Sequence, residues 1–173
     1  MTAPGTMTRP IVTAPASVLR ASARHVRVPD RAIDRLVADL FATMRAARGV
    51  GLAAPQIGES VAVAVVEAEG RRLVLINPKV ARAAGSQDGW EGCLSIPDRV
   101  AWLSRAADVS VASLDLSGRS VRYRASGLVA RAVLHEVDHL AGRLYSDLVG
   151  PDDLIDTTLH PTPPQPGERG AAP

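Results

Sequence analysis

Apolar residues fall into a helical rhythm at two places in the chain and into strand-like runs at four others. After Pro29, Asp30 is placed to cap a helix, and Ile33, Leu36, Val37, Leu40, Phe41 and Met44 follow the i, i+3, i+4, i+7 spacing until a stop near Gly49. A second helix is predicted between Ser126-Gly127, which offer an N-cap, and Gly142, which offers a C-terminal stop. Leu128, Val129, Ala132, Val133, Leu134, Val137 and Leu140 fill the span between them. Residues 61–66 and 73–76 read as strands around a turn at Gly70, with Asn77-Pro78 ending the second. Residues 109–114 and 121–123 flank Ser117-Gly118 as a hairpin. Strands surround two helices without the regular alternation of a parallel sheet. The predicted fold class is therefore α+β, with antiparallel sheets packed around the second, central helix. From Gly150 onward prolines accumulate and apolar residues thin out, so residues 1–148 are expected to form one domain and 149–173 a disordered tail.

Composition narrows the functional classes. A 46% hydrophobic content in 173 residues supports one sizeable core, and with only 3% aromatics that core must be built from Val, Leu, Ala and Ile. The formal charge is +2 and Lys79 is the only lysine. No basic run or aromatic-basic interleaving marks a nucleic-acid groove, and no run of 18 apolar residues marks a membrane span. The first 27 residues carry Arg but no Asp or Glu, as a transit peptide would. They lack the apolar centre of a secretory signal, and residues 11–28 read as part of the fold. A cytoplasmic location is expected, and the lone Cys93, which has no disulfide partner, fits a reducing compartment.

The chemistry concentrates in the second helix, at His135-Glu136-Val137-Asp138-His139. Positions i and i+4 share one helix face, so both imidazoles can aim at one cation, with Glu136 beside it as a base that does not bind the metal. His pairs at this spacing also occur on solvated faces. This helix is too apolar for that, and its charged groups would cost several kcal/mol each if buried without a partner or a metal. The central helix is therefore read as metal-bearing. A lone Cys is usually a small buried hydrophobe. In Glu91-Gly92-Cys93-Leu94-Ser95-Ile96-Pro97, however, Cys93 is the natural third ligand of a centre that keeps one position open. A Cys nucleophile paired with one His is the competing chemistry, and it leaves the other His and Glu136 without a role. The segment Gly49-Val50-Gly51-Leu52-Ala53-Ala54-Pro55-Gln56 is either an ordinary connection or a loop that lets backbone approach a ligand, with the Gln56 amide as donor.

In this order the three segments resemble the signature motifs of peptide deformylases, and the similarity extends over roughly residues 10–148, including Leu75-Ile76-Asn77-Pro78 and the stretch from Leu140 to Tyr145. The resemblance implies removal of the formyl group from the N-terminal formylmethionine of newly made polypeptides. It implies a divalent metal on Cys93, His135 and His139, with Fe²⁺ the native ion and Zn²⁺, Ni²⁺ or Co²⁺ as alternatives of suitable softness. Glu136 would move the proton, and the Gln56 amide and the Leu94 backbone N–H would stabilise the oxyanion. Gly49, Val50, Gly51 and Leu128 would bind substrate, although Val50 and Leu128 serve equally well as core residues. Glu91 would pair with Arg105 to hold the cysteine loop, the alternative being a weak surface pair. Partners would be N-formylmethionyl nascent peptides and, transiently, the ribosome, yet the proline-rich tail lacks the long amphipathic helix by which many relatives contact it. Leu134 stands where many relatives have Gln, and Asp98 where Gly is common. A metalloprotease would take its third ligand downstream, and a closed structural metal site would need a fourth protein ligand.

Overall fold

The computed structural model describes residues 6–160 and 162. Helix α1 spans Arg31–Ala46, and the Asp30 carboxylate caps it by accepting the backbone N–H groups of Ala32 and Ile33. Strands β1 (Gly51–Ala53), β2 (Val63–Ala68), β3 (Arg71–Ala84), β4 (Gln87–Cys93), β5 (Ile96–Arg105), β6 (Asp108–Leu114) and β7 (Ser120–Ser126) precede helix α2, Gly127–Leu140. A short strand β8, Ile155–Asp156, follows. All pairings between these strands are antiparallel, in one sheet ordered β1-β2-β3-β6-β7 and a second ordered β4-β5-β8.

Strand β2 explains the layering. Its sequence is almost continuously apolar because both of its faces are covered. Val63 and Val65 pack with Leu40, Phe41 and Met44 of α1, whereas Ala64 and Val66 pack with Val129, Ala130 and Val133 of α2. The two helices therefore use the two sides of one sheet, and α2 is enclosed as the sequence predicts. The second sheet builds a smaller core of Ala101, Leu103 and Tyr145, against which Cys93 and Ile96 pack.

Three features depart from the sequence expectations. Asn77-Pro78 does not end its strand. Asn77 takes a left-handed φ of 50°, its side chain bonds both the N–H and the C=O of Val26, and the register slips between Ile76 and Lys79, so the proline sits in a bulge and β3 runs on to Ala84. The β4-β5 hairpin has no counterpart in the predicted elements, because its strands carry too few apolar residues to show a period of two. Their register sets Trp90 opposite Trp102, with ring centroids 5.4 Å apart. Finally, the chain after Gly150 folds back for at least ten residues. Pro151–Asp153 form a turn, β8 pairs with Arg99 and Val100, and the Thr157 N–H donates to the Asp98 carbonyl. The tail expected from residue 149 therefore begins as ordered chain, while residues 161 and 163–173 lie outside the described residues.

Candidate metal centre and cleft

Cys93 ends β4, Gln56 lies in the 3₁₀ turn Ala54–Ile57 that follows β1, and His135, Glu136 and His139 come from the middle and last turn of α2. The helix pitch brings the two imidazoles together, with His139 Nε2 3.2 Å from His135 Nε2 and 3.1 Å from Cys93 Sγ. All three donor atoms lie within 4.8 Å of one another. Three electron-pair donors this close repel unless a positive charge lies among them.

The charges around the two imidazoles point the same way. Burial works against charge on His135, but hydrogen bonds to Cys93 and Glu91 outweigh it and raise this imidazole to about 10. For His139, burial and then the His135 charge act together and lower it to about 3. The cluster therefore carries its positive charge on His135, at a point where a divalent cation would displace the proton. His139 Nδ1 and Glu136 Oε2 are buried with no hydrogen-bond partner among the described residues. The donor set, one thiolate and two imidazoles, suits a zinc- or iron-like ion, so these residues fit a metal.

A shell of ion pairs aims the donors. His135 Nδ1 lies 2.6 Å from Glu91 Oε1, and since an ionised carboxylate only accepts, Nδ1 carries a hydrogen, which leaves Nε2 as the nitrogen whose proton a cation would displace. Burial raises the Glu91 carboxyl, but hydrogen bonds from His135 and Arg105 prevail and lower it to about 2. Arg105 grips both Glu91 oxygens, Oε1 at 2.5 and Oε2 at 3.1 Å, and donates to Asp138 at 2.5 Å, while Arg131 donates to Glu91 Oε2 at 3.0 Å. The Glu91–Arg105 pair foreseen from the sequence exists, and it is buried, with both side chains under 10% exposed. The sequence reading passed over Arg131. The available signal was a cation one turn before His135 on an otherwise apolar face.

Glu136 is almost fully enclosed, and burial pushes its carboxyl up to about 7, with His135, Glu91 and Arg105 contributing smaller, partly opposed effects. Space for it is made by Gly51, where an added Cβ would lie 2.3 Å from Glu136 Oε1. Gly51→Ala should therefore displace the carboxylate while leaving the fold in place, since the crowded atoms, Oε1, Cδ and Cγ, all belong to the Glu136 side chain and none to the backbone. A shift of about 1 Å in a catalytic group costs on the order of 100-fold in rate. The expected result is that loss in kcat with an unchanged melting temperature, and full activity would rule out the assigned position of Glu136.

Gln56 is oriented from behind. Its Oε1 accepts the Ala53 N–H at 2.8 Å, which fixes Nε2 on the opposite side, 3.2 Å from Ser95 Oγ and 3.6 Å from Cys93 Sγ. A cleft of about 460 Å³ opens over Gln56, Cys93, Leu94, His135 and Glu136. Gly49, Val50, Gly51 and Leu128 line it, and the 42% and 43% exposures of Val50 and Leu128 place them at its wall and not in the core. Asp98, at the rim, has a φ of 59°, a left-handed conformation that Asp tolerates better than most residues and that explains why Gly is an alternative there.

The polypeptide deformylase family model matches residues 8–153, which include every residue of the cluster and of its ion-pair shell. The chain belongs to the polypeptide deformylase family. Among curated deformylases it is 46% identical over 150 residues to that of Thermomicrobium roseum, covering 82% of this chain and 85% of the relative. It is 44% identical over 130 residues to that of Dictyoglomus thermophilum, covering 75% and 85%. Among solved structures, a deformylase from Legionella pneumophila superposes with a TM-score of 0.82 at 37% identity, covering 85% of this chain and 89% of that one. A deformylase from Acinetobacter baumannii with Met-Ala-Ser bound gives 0.79 at 31%, covering 84% and 100%.

Proposed function

We propose that this deformylase removes the formyl group from N-terminal formylmethionine through Glu136 as proton carrier, beside a divalent metal held by Cys93, His135 and His139. The observation that carries the reading is the buried Glu136 carboxylate, its Oε2 without a partner among the described residues, next to the donor cluster and lining an open cleft. The bound ion supplies Lewis acidity, polarising a carbonyl oxygen and making water acidic near neutral pH. Glu136 takes a proton from the attacking water as oxygen adds to the formyl carbon, and returns it to the nitrogen as the C–N bond breaks. Formate and a free amino terminus leave. In this reading the Gln56 side-chain amide and the Leu94 backbone N–H, both from residues lining the cleft, stabilise the developing oxyanion, each worth about 3–4 kcal/mol by comparison with single donors of this kind. Val50 and Leu128 offer apolar wall for the methionine side chain, and Gly49 and Gly51 let the peptide backbone approach. Only hydrogen lies on the far side of the scissile bond, which suits a floor of small residues.

Fe²⁺ is the proposed native ion, from the family resemblance and the softness of the donor set, with Zn²⁺, Ni²⁺ and Co²⁺ as substitutes. The proposed location is the cytoplasm, with transient contact to the ribosome that supplies the substrate. Among the described residues no helix is long and apolar enough to cross a membrane. The test is formate release from formyl-Met-Ala-Ser beside casein cleavage, on protein purified anaerobically and analysed for metal. Formate release with iron bound and casein intact is expected. Casein cleavage would replace the reading with a protease, and full activity at full zinc occupancy would overturn the assignment of iron.

A further inference from the structure

On the face of the large sheet turned away from α2, β6 lies between β3 and β7. Ser110 of β6 pairs with Arg82 on one side and Arg124 on the other, and Ala112 pairs with Lys79 and Arg122 in the same way. Directly paired residues share a face, so two small side chains form the floor of a trough whose two walls are cationic. From strand geometry the walls stand about 10 Å apart and the two rows about 7 Å apart. A cavity of about 600 Å³ opens over its Ser110 end, lined by Arg82, Arg122 and Arg124, and Arg71 closes that end by donating to the Arg124 carbonyl at 2.6 Å.

Four guanidiniums line this cavity against one carboxylate, Asp108, a greater excess than the net +2 of the whole chain. Among the described residues none of Arg71, Arg82, Arg122 and Arg124 makes an ion pair, although eight other arginines do. The Ser110 hydroxyl on the floor is buried and unpartnered. We infer that this trough binds the phosphate backbone of structured RNA.

Two cationic rows running along β6 repeat at about the spacing of successive phosphates, so they can hold a strand laid along β6 as well as a single anion. No large exposed hydrophobic lines the cavity, so it lacks the apolar anchor of a membrane surface. It lacks aromatic side chains too, so the contact is to backbone and independent of sequence. The preference for RNA over other polyphosphates rests on the deformylase reading, because a nascent-chain substrate is made at an RNA surface.

The test is binding of a fluorescent RNA hairpin by the full-length, metal-loaded protein, followed by anisotropy across a salt series. Four phosphate contacts at −0.7 to −0.9 each give a log–log salt slope near −3, a loss of roughly 50- to 150-fold in affinity between about 50 and 200 mM salt. The double variant Arg82→Gln with Arg124→Gln should lower the magnitude of the slope by about 2, the double Lys variant should keep it, and turnover of formyl-Met-Ala-Ser should stay at the parental rate in both. Equal RNA affinity in the parent and the Gln variant would overturn the inference. So would stronger binding to phosphatidylserine vesicles than to RNA, or displacement of RNA by millimolar inorganic phosphate at constant ionic strength. RNA binding and peptide turnover are read separately, so either can fail without the other.

Discussion

Glu136→Ala should lower kcat on formyl-Met-Ala-Ser by about 10²- to 10⁴-fold, the usual range for loss of a general acid–base group. That corresponds to about 2.7–5.5 kcal/mol of barrier. Metal content should not change, because the donor cluster is formed by Cys93, His135 and His139 without this carboxylate. Burial raises its carboxyl from the ordinary carboxylate range to about 7, which moves it toward the neutral pH at which a proton carrier is most effective. Glu136→Gln separates proton transfer from shape, since it fills the same space beside Gly51 but carries no transferable proton at this pH. Both variants should be folded, metal-bound and nearly inactive. Either one retaining more than a tenth of parental kcat would remove Glu136 from the proton path.

Glu91→Ala should cause the largest loss of stability among single changes near the site. One carboxylate accepts from Arg105, Arg131 and His135, all buried, and deleting one member of such a network typically costs 3–5 kcal/mol because the remaining charges stay desolvated. Arg105 keeps Asp138, and Arg131 keeps the carbonyls of Gln87 and Leu103, which places the expected cost toward the lower end, about 3 kcal/mol. Urea denaturation of the metal-loaded protein measures it as a fall in midpoint at constant m. Metal affinity should fall by about 10- to 100-fold as well, because the His135 ring loses the acceptor that fixes its tautomer. A loss below 1 kcal/mol would mean that the network is replaced by solvent and is not a support for the cluster.

The legible parts of this fold are those with a single strong period. Helix α1 follows from the spacing of Ile33 through Met44 and from the Asp30 cap, and α2 from its apolar run between Ser126 and Gly142. The hairpin at Ser117-Gly118 is equally plain: Asp115 accepts the N–H groups of Ser117 and Arg119, and Gly118 takes a φ of 82°. The β4-β5 hairpin was not legible, because Asp88, Glu91, Arg99 and Arg105 interrupt the apolar alternation and the pairing is secured across strands. Asn77-Pro78 misled for a different reason, since a long-range bond to Val26 supplies what the proline removes. In the site, the motif residues named their own cluster through donor chemistry and helix pitch. Arg131 and Asp138 remained silent because ion-pair partners distant in sequence become visible only once β4 and β5 are set against α2.

Strand β2 has one more consequence. A wall shared by two cores cannot release one helix without exposing the surface of the other, so α2 has no inexpensive local opening of its own. The two histidine donors on α2 are consequently held with the free energy of the whole large-sheet core. A slow metal exchange rate in this protein would then reflect the cooperativity of its melting, set in part by residues such as Phe41 and Met44 on the far side of the sheet.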